Sequence, residues 1–168
     1  MGTGSRSRVV ASIDSHSDKI LIVDDEAPMR TLLQEVLARE GYTLLTAVDG
    51  KDALDQVLTQ QPDLILLDLY MPKLDGVTLC KALRVYKETQ SVPIIMLTAL
   101  AARDRLEECI AAGADDFITK PFNIVELKIR VRTMLKFKHV SDEVDRLQKY
   151  ILTLRKLRGE ATEPSSDT

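Results

Sequence analysis

The stretch DLILLDLYMPKLDG, Asp63 to Gly76, sets four consecutive apolar residues, Leu64 to Leu67, directly before a carboxylate, Asp68. The run is short and bounded by Pro62 on one side and the turn-forming Met71-Pro72 and Gly76 on the other. It therefore reads as a strand buried on both faces. An ionised group at the end of such a strand is costly to take from water unless something pairs with it. Either Asp68 marks where the strand meets solvent, or it belongs to a site that needs a carboxylate at a strand end.

Working outward, the same alternation recurs. KILIVDD (Lys19–Asp25) is a short apolar run, followed by Pro28 at a first helical turn and by Met29, Leu32, Leu33, Val36 and Leu37 at helical spacing, up to Gly41. YTLLTAV (Tyr42–Val48) is a second strand, and Asp49-Gly50 turns the chain into a helix ending before Pro62. After the third strand comes a helix carrying Val77, Leu79, Cys80, Leu83 and Val85. PIIMLTA (Pro93–Ala99) is the fourth strand, with a helix from about Arg103 to Ala112. DFITKP (Asp116–Pro121) is the fifth, and a long helix begins near Asn123. Five β-α units with short connections predict an α/β fold, a doubly wound, flavodoxin-like parallel sheet of order 2-1-3-4-5 with an extended C-terminal helix.

Composition bounds the rest. At 168 residues, 45% hydrophobic and 29% charged, the chain is long enough for one ordinary domain with some extra. No apolar run approaches the ~18–20 residues of a membrane span. The N-terminal MGTGSRSRVVASIDSHSD lacks the apolar centre of a secretory signal and reads as a flexible leader. Cys80 and Cys109 have no metal-ligand spacing and read as reduced core residues, which with the missing signal points to the cytoplasm. Net charge is −3, but residues 124–158 hold ten basic residues against four acidic ones, so an acidic body carries a basic helical extension.

In an open sheet of this order, ligands bind beyond the carboxyl ends of the strands where the order reverses, here between the first and third strands. Asp24 and Asp25 end the first strand and Asp68 the third, so distant acids converge on one crevice. Thr98 and Lys120, at the ends of the fourth and fifth strands, reach the same edge. Clustered carboxylates raise one another's pKa unless a cation joins them, and a few carboxylates completed by water suit Mg²⁺. A carboxylate attacking a phosphoryl group makes an acyl phosphate, whose oxygens a metal, Lys120 and Thr98 would stabilise.

These motifs, VDDE (Val23–Glu26), DLYMPKLDG (Asp68–Gly76), MLTA (Met96–Ala99) and ITKPF (Ile118–Phe122), come in order on successive strands. Over about Lys19 to Lys138 the chain resembles the receiver domains of response regulators from bacterial two-component systems. The resemblance implies that Asp68 accepts a phosphoryl group from a sensor histidine kinase or phosphotransfer protein. It implies Mg²⁺ held by Asp25, Asp24, Asp68 and the backbone carbonyl of Tyr70. Thr98 matches the switch hydroxyl, Lys120 the lysine of the pattern, and Pro121 its cis-prone successor. Phe117 matches an aromatic whose rotation reports the switch on the face of the fourth helix, fifth strand and fifth helix, although a core aromatic is the competing reading. A switch of this kind is not an enzyme with a separate substrate. The dehalogenase-like phosphohydrolases, which also use an aspartyl nucleophile, want a second acid two residues on, where this chain has Tyr70. Tyr70 and Leu100 are bulky for positions bordering the site, and would hinder a water attacking the phosphoryl group.

The expected organisation is a leader over 1–18, a receiver domain over 19–138, a C-terminal helix over 139–158 and a polar tail over 159–168. Phe137, Val140, Val144, Leu147, Ile151 and Leu154 alternate spacings of three and four, the seam of a coiled coil, so a homodimer through this helix is expected. A helix folded back on the receiver is the alternative. The chain would otherwise be the receiver part of a larger regulator with an output domain such as a diguanylate cyclase, phosphodiesterase or phosphatase. After Lys138 there is room for one helix and no dedicated DNA-binding domain. The basic excess offers only non-specific attraction to nucleic acid or anionic lipid. His16 and His139, far from the acids, read as plain surface residues.

Overall fold

The computed structural model describes residues 17–99 and 105–157, so the leader as far as His16, Leu100, and the tail over 159–168 lie outside the described residues. Five strands, β1 (Lys19–Val23), β2 (Thr43–Ala47), β3 (Leu64–Asp68), β4 (Ile94–Ala99) and β5 (Asp116–Lys120), alternate with five helices. These are α1 (Ala27–Ala38), α2 (Gly50–Gln60), α3 (Gly76–Val85), α4 (Leu106–Ala111) and α5 (Ile124–Leu157). The strands form one parallel sheet in the order β2-β1-β3-β4-β5, as the alternation requires. Helix α4 is described from Leu106, and part of the expected span, Arg103 and Asp104, is outside the described residues.

The period of two along each strand feeds two cores. Leu21, Val23, Ile65, Leu67, Ile94 and Met96 point to the layer of α2 and α3, packing on Val57, Leu79, Cys80 and Leu83. Ile20, Ile22, Leu64, Leu66, Ile95 and Leu97 point to the other layer, against Leu33 and Leu37 of α1 and Leu127, Val131 and Leu135 of α5. Burial on both faces is why these strands carry unbroken aliphatic runs. Cys80 and Cys109 are buried and unbridged, consistent with small core residues.

Local chemistry sets the boundaries. Asp49 caps α2 by accepting from the Asp52 amide at 2.9 Å, and Asp75 caps α3 by accepting from the Thr78 amide at 2.9 Å. Gly76 is required by close approach: a Cβ there would collide with the backbone carbonyl oxygen of Asp68 and the Cα of Leu69. The turn after the third strand can thus fold tightly onto the strand end. At the opposite end of the sheet, the Arg84 guanidinium donates to the carbonyls of Gly113 (2.9 Å) and Val92 (2.8 Å) and to the Asp115 carboxylate (2.8 Å). It thereby ties α3 to the segments that enter β4 and β5.

Helix α5 is continuous over 34 residues, about 50 Å at 1.5 Å per residue. Five-residue strands span only about 17 Å, so the helix runs well past the sheet. Its sheet-facing side is apolar through Leu135 and then turns polar. Lys138 donates to Asp63 at 2.9 Å and Asp142 at 3.2 Å, and His139 pairs with Asp18 at 2.9 Å. His139 is a surface residue, as expected, and adds to a polar clasp where α5 crosses the foot of the sheet. Phe137, Val140 and Val144 are exposed on α5, as a seam would be, while the side chains of Leu147, Ile151 and Leu154 lie outside the described residues.

Asp63 anchors this clasp. Its carboxylate also accepts from the Lys19 amide at 2.8 Å, joining β1, β3 and α5. Burial opposes its ionisation, but the Lys19 amide and Lys138 outweigh burial and hold the carboxyl below the ordinary range. The stabilisation is therefore present above the unfolded pKa of ~3.9 and lost as pH falls through the lower folded value. Urea unfolding should show Asp63→Asn less stable than wild type near neutral pH, with the gap narrowing at about pH 3. A pH-independent gap would count against the pairing.

Candidate functional site

Three strand ends build the site. Asp24 directly follows β1, and its amide still extends the ladder to Ala47 (3.2 Å) while its side chain is fully buried. One carboxylate oxygen accepts from the Glu26 amide at 2.8 Å, and the other from Lys120 Nζ at 3.0 Å. Asp68 ends β3, is 6% exposed, and accepts from the same ammonium at 3.0 Å. Asp25 is exposed beside them, and one oxygen of each of the three acids lies within 4.8 Å of the others. Lys120 arrives from the end of β5, where the Lys120–Pro121 peptide is cis.

Burial pushes the Asp68 carboxyl up to about 6; Lys120 pulls against this, and Asp24 and Asp25 add to it. Lys120 moves up as well: burial disfavours its charge, but its bonds to Asp68 and Asp24 win. Asp68 moves up because burial outweighs its pairing with Lys120, whereas Lys120 moves up because two carboxylates serve one ammonium. The donor set is made of carboxylate oxygens and adjacent backbone, with no His or Cys, which fits a hard divalent ion completed by water. Asp24 has committed both oxygens within the protein, whereas Asp25 and the second oxygen of Asp68 have no partner among the described residues. Those are the groups free to meet a metal directly.

Thr98 lies one residue beyond Leu97, the register partner of Asp68, and is 4% exposed. It shares a cavity of about 330 Å³ with Phe117, Leu106 and Thr119. Phe117 itself is 37% exposed, and its neighbour Ile118 takes the buried position on β5. The aromatic is thus a surface residue bordering the cavity rather than a core filler. Tyr70 is 49% exposed, two residues beyond Asp68.

A contact without a sequence signal adjoins these residues. The Arg105 guanidinium carbon lies 5.6 Å from the centroid of the Tyr70 ring. Arg105 also pairs with Asp75 and Glu108, each at 2.9 Å. Asp75 was legible as a helix cap from its place before Gly76 and an apolar periodic run. Arg105 was not, because Asp75 lies thirty residues before it and the Tyr70 ring further still, in a chain rich in charge.

The comparisons with known proteins agree with this geometry. The family model described as the response regulator receiver domain matches residues 20–132. The chain is 48% identical over 118 residues to the alkaline phosphatase synthesis transcriptional regulatory protein PhoP of Bacillus subtilis, covering 70% of this chain and 48% of PhoP. It is 43% identical over 129 residues to the response regulator PleD of Caulobacter vibrioides, covering 76% of this chain and 28% of PleD. The chain therefore spans about half the length of PhoP and less of PleD. Among solved structures, a response regulator from Chloroflexus aurantiacus superposes with a TM-score of 0.69 at 38% identity, covering 71% of this chain and 98% of that one. The chemotaxis protein CheY4 of Vibrio cholerae does so at 0.67 and 32% identity, covering 70% and 98%. No described helix is long and apolar enough to cross a membrane. Matched over most of its length by sequence, sheet order and acidic strand ends, the chain belongs to the response regulator receiver domains.

Proposed function

We propose that Asp68 is the phosphoryl acceptor of this receiver. The observation that carries the reading is the Lys120 ammonium shared between Asp24 and Asp68 beside a free Asp25, at the joined ends of three strands. The unpaired oxygen of Asp68 attacks the phosphorus of a phosphohistidine; the P–N bond breaks and the imidazole leaves with its electron pair. Asp25, Asp68 and the Tyr70 carbonyl, with Asp24 through water, would hold a Mg²⁺ ion, which when bound would supply charge neutralisation for the transferring group. Lys120 is already positioned to pair with a phosphoryl oxygen, and Asp24 orients Lys120.

The new phosphoryl oxygens favour an inward Thr98 hydroxyl, and the cavity that Thr98 shares with Phe117 gives the aromatic room to follow. The modification biases an existing equilibrium of the α4-β5-α5 face, since a covalent charge acts only through its different contacts in the two states. Because α5 continues as one helix into the exposed apolar positions Phe137, Val140 and Val144, that bias reaches a helix suited to pairing with a second copy. A second reading makes the chain the receiver part of a larger regulator whose output domain uses the same helix. It is supported by the length of PhoP and PleD beyond the matched stretch.

Incubation with Mg²⁺ and phosphoramidate should add one phosphoryl mass to the wild type, none after chelation by EDTA, and none to Asp68→Asn. Modification that persists in Asp68→Asn would sink the assignment. Sizing in the presence of beryllofluoride and Mg²⁺ should reveal a phosphorylation-dependent change in assembly; an unchanged species at full occupancy would refute coupling through α5. Tyr70→Asn should lose its phosphoryl group several-fold faster than wild type once donor is removed, as the ring no longer obstructs water. An unaltered decay rate would remove Tyr70 from that role.

A further inference from the structure

Tyr70 is a large side chain on a turn, about half exposed, and nothing in its own covalent geometry keeps its ring in one place. What surrounds it does. The guanidinium of Arg105, at the entry to α4, lies over the ring at 5.6 Å, within the range of a cation–π contact. That guanidinium is held in turn from two sides, by Asp75 at 2.9 Å and Glu108 at 2.9 Å, leaving its face for the ring. Asp75 cannot wander either, since its other oxygen caps α3 through the Thr78 amide. The ring thus rests on a frame fixed to the first turns of two helices.

The placement of this frame matters because β3 and β4 are neighbours in the sheet, with Asp68 opposite Leu97 and Thr98 one step further. Tyr70 continues from β3 and Arg105 leads into the helix after β4. The pair therefore joins the turn after Asp68 to the helix after Thr98, on the edge of the sheet where the acids converge. Arg105 has no hydrogen bond or ion pair with the three acids among the described residues, and the Tyr70 ring is the contact it makes on the turn that follows Asp68.

We infer that Arg105 is a positioning residue for phosphoryl retention: by stacking on Tyr70 under the hold of Asp75 and Glu108, it keeps the ring where it obstructs water approaching phosphorylated Asp68. The inference rests on the proposed role of Tyr70, and the two fail differently. The full chain is phosphorylated with phosphoramidate and Mg²⁺, the donor is removed by desalting, and phosphoryl loss is followed by intact mass. Wild type, Tyr70→Ala, Arg105→Ala, Arg105→Gln and the double variant Tyr70→Ala/Arg105→Ala are compared, with urea unfolding to confirm that each is folded. The expected result is loss about two- to fivefold faster in both Arg105 variants, the factor that an exposed cation–π contact can hold in place. The double variant should decay no faster than Tyr70→Ala alone, because Arg105 has nothing left to position. A wild-type rate in Tyr70→Ala defeats the reading of Tyr70 itself. A faster Tyr70→Ala with unchanged Arg105 variants, or effects of the two residues that multiply in the double variant, would overturn the positioning role.

Discussion

One ammonium group shared by two carboxylates organises the C-terminal edge of the sheet. Lys120 is 3.0 Å from both Asp24 and Asp68, and Asp25 stands beside them without a counter-charge among the described residues. A folded pKa of about 6 for Asp68, above the ordinary 3.8, means that its ionised form is disfavoured by folding. The associated stabilisation belongs to the protonated carboxyl, is fully present below the unfolded pKa, and is lost as pH rises through about 6. At neutral pH the ionised Asp68 therefore opposes folding, while the charged Lys120 paired with it favours folding. A cation or a phosphoryl group with its cation would relieve that strain among the acids. The site is thus chemically incomplete by itself, which is the property a switch responding to modification requires.

The rest of the architecture holds this arrangement still. Aliphatic strands buried on both faces bring their ends into register, and Gly76 lets the turn after Asp68 pack against the strand's own backbone. At the other end of the sheet, polar ties take over: Arg84 gathers the entries to β4 and β5, and Asp63 gathers β1, β3 and α5. Rigid anchoring at the foot and an unbalanced charge cluster at the head leave the head as the part able to respond. The Tyr70–Arg105 contact lies at that head, linking the turn after β3 to the entry of α4. Helix α5 passes from head to foot and beyond.

Much of this was legible before any coordinates. The order of short aliphatic runs and helical periodicities implied a parallel doubly wound sheet, because strands covered on both faces have no polar alternation and right-handed crossovers leave few orders. Acids placed at the ends of the first and third runs then fell together at the reversal point of that sheet. What the pattern left open was environment. Phe117 was readable as a switch-face aromatic or, less favourably, as a core aromatic, and its exposure depended on Ile118 taking the inward position of β5. His139 read as a plain surface residue, its pairing hidden because Asp18 is 121 residues away.

The sequence by itself determined the fold, the convergence of Asp24, Asp25, Asp68, Thr98 and Lys120, and their chemical type, since each follows from local periodicity and from position at a strand end. Only the tertiary structure decided how charge is apportioned among them: which oxygens Lys120 occupies, which acid is buried and which is open, and how far Asp68 is pushed from its ordinary pKa. It alone decided that Arg105 stacks on Tyr70 and that Lys138 and His139 clasp the foot of the sheet. These are pairings between residues far apart in the chain, settled by distance and desolvation, and neither quantity is encoded in the order of the residues alone.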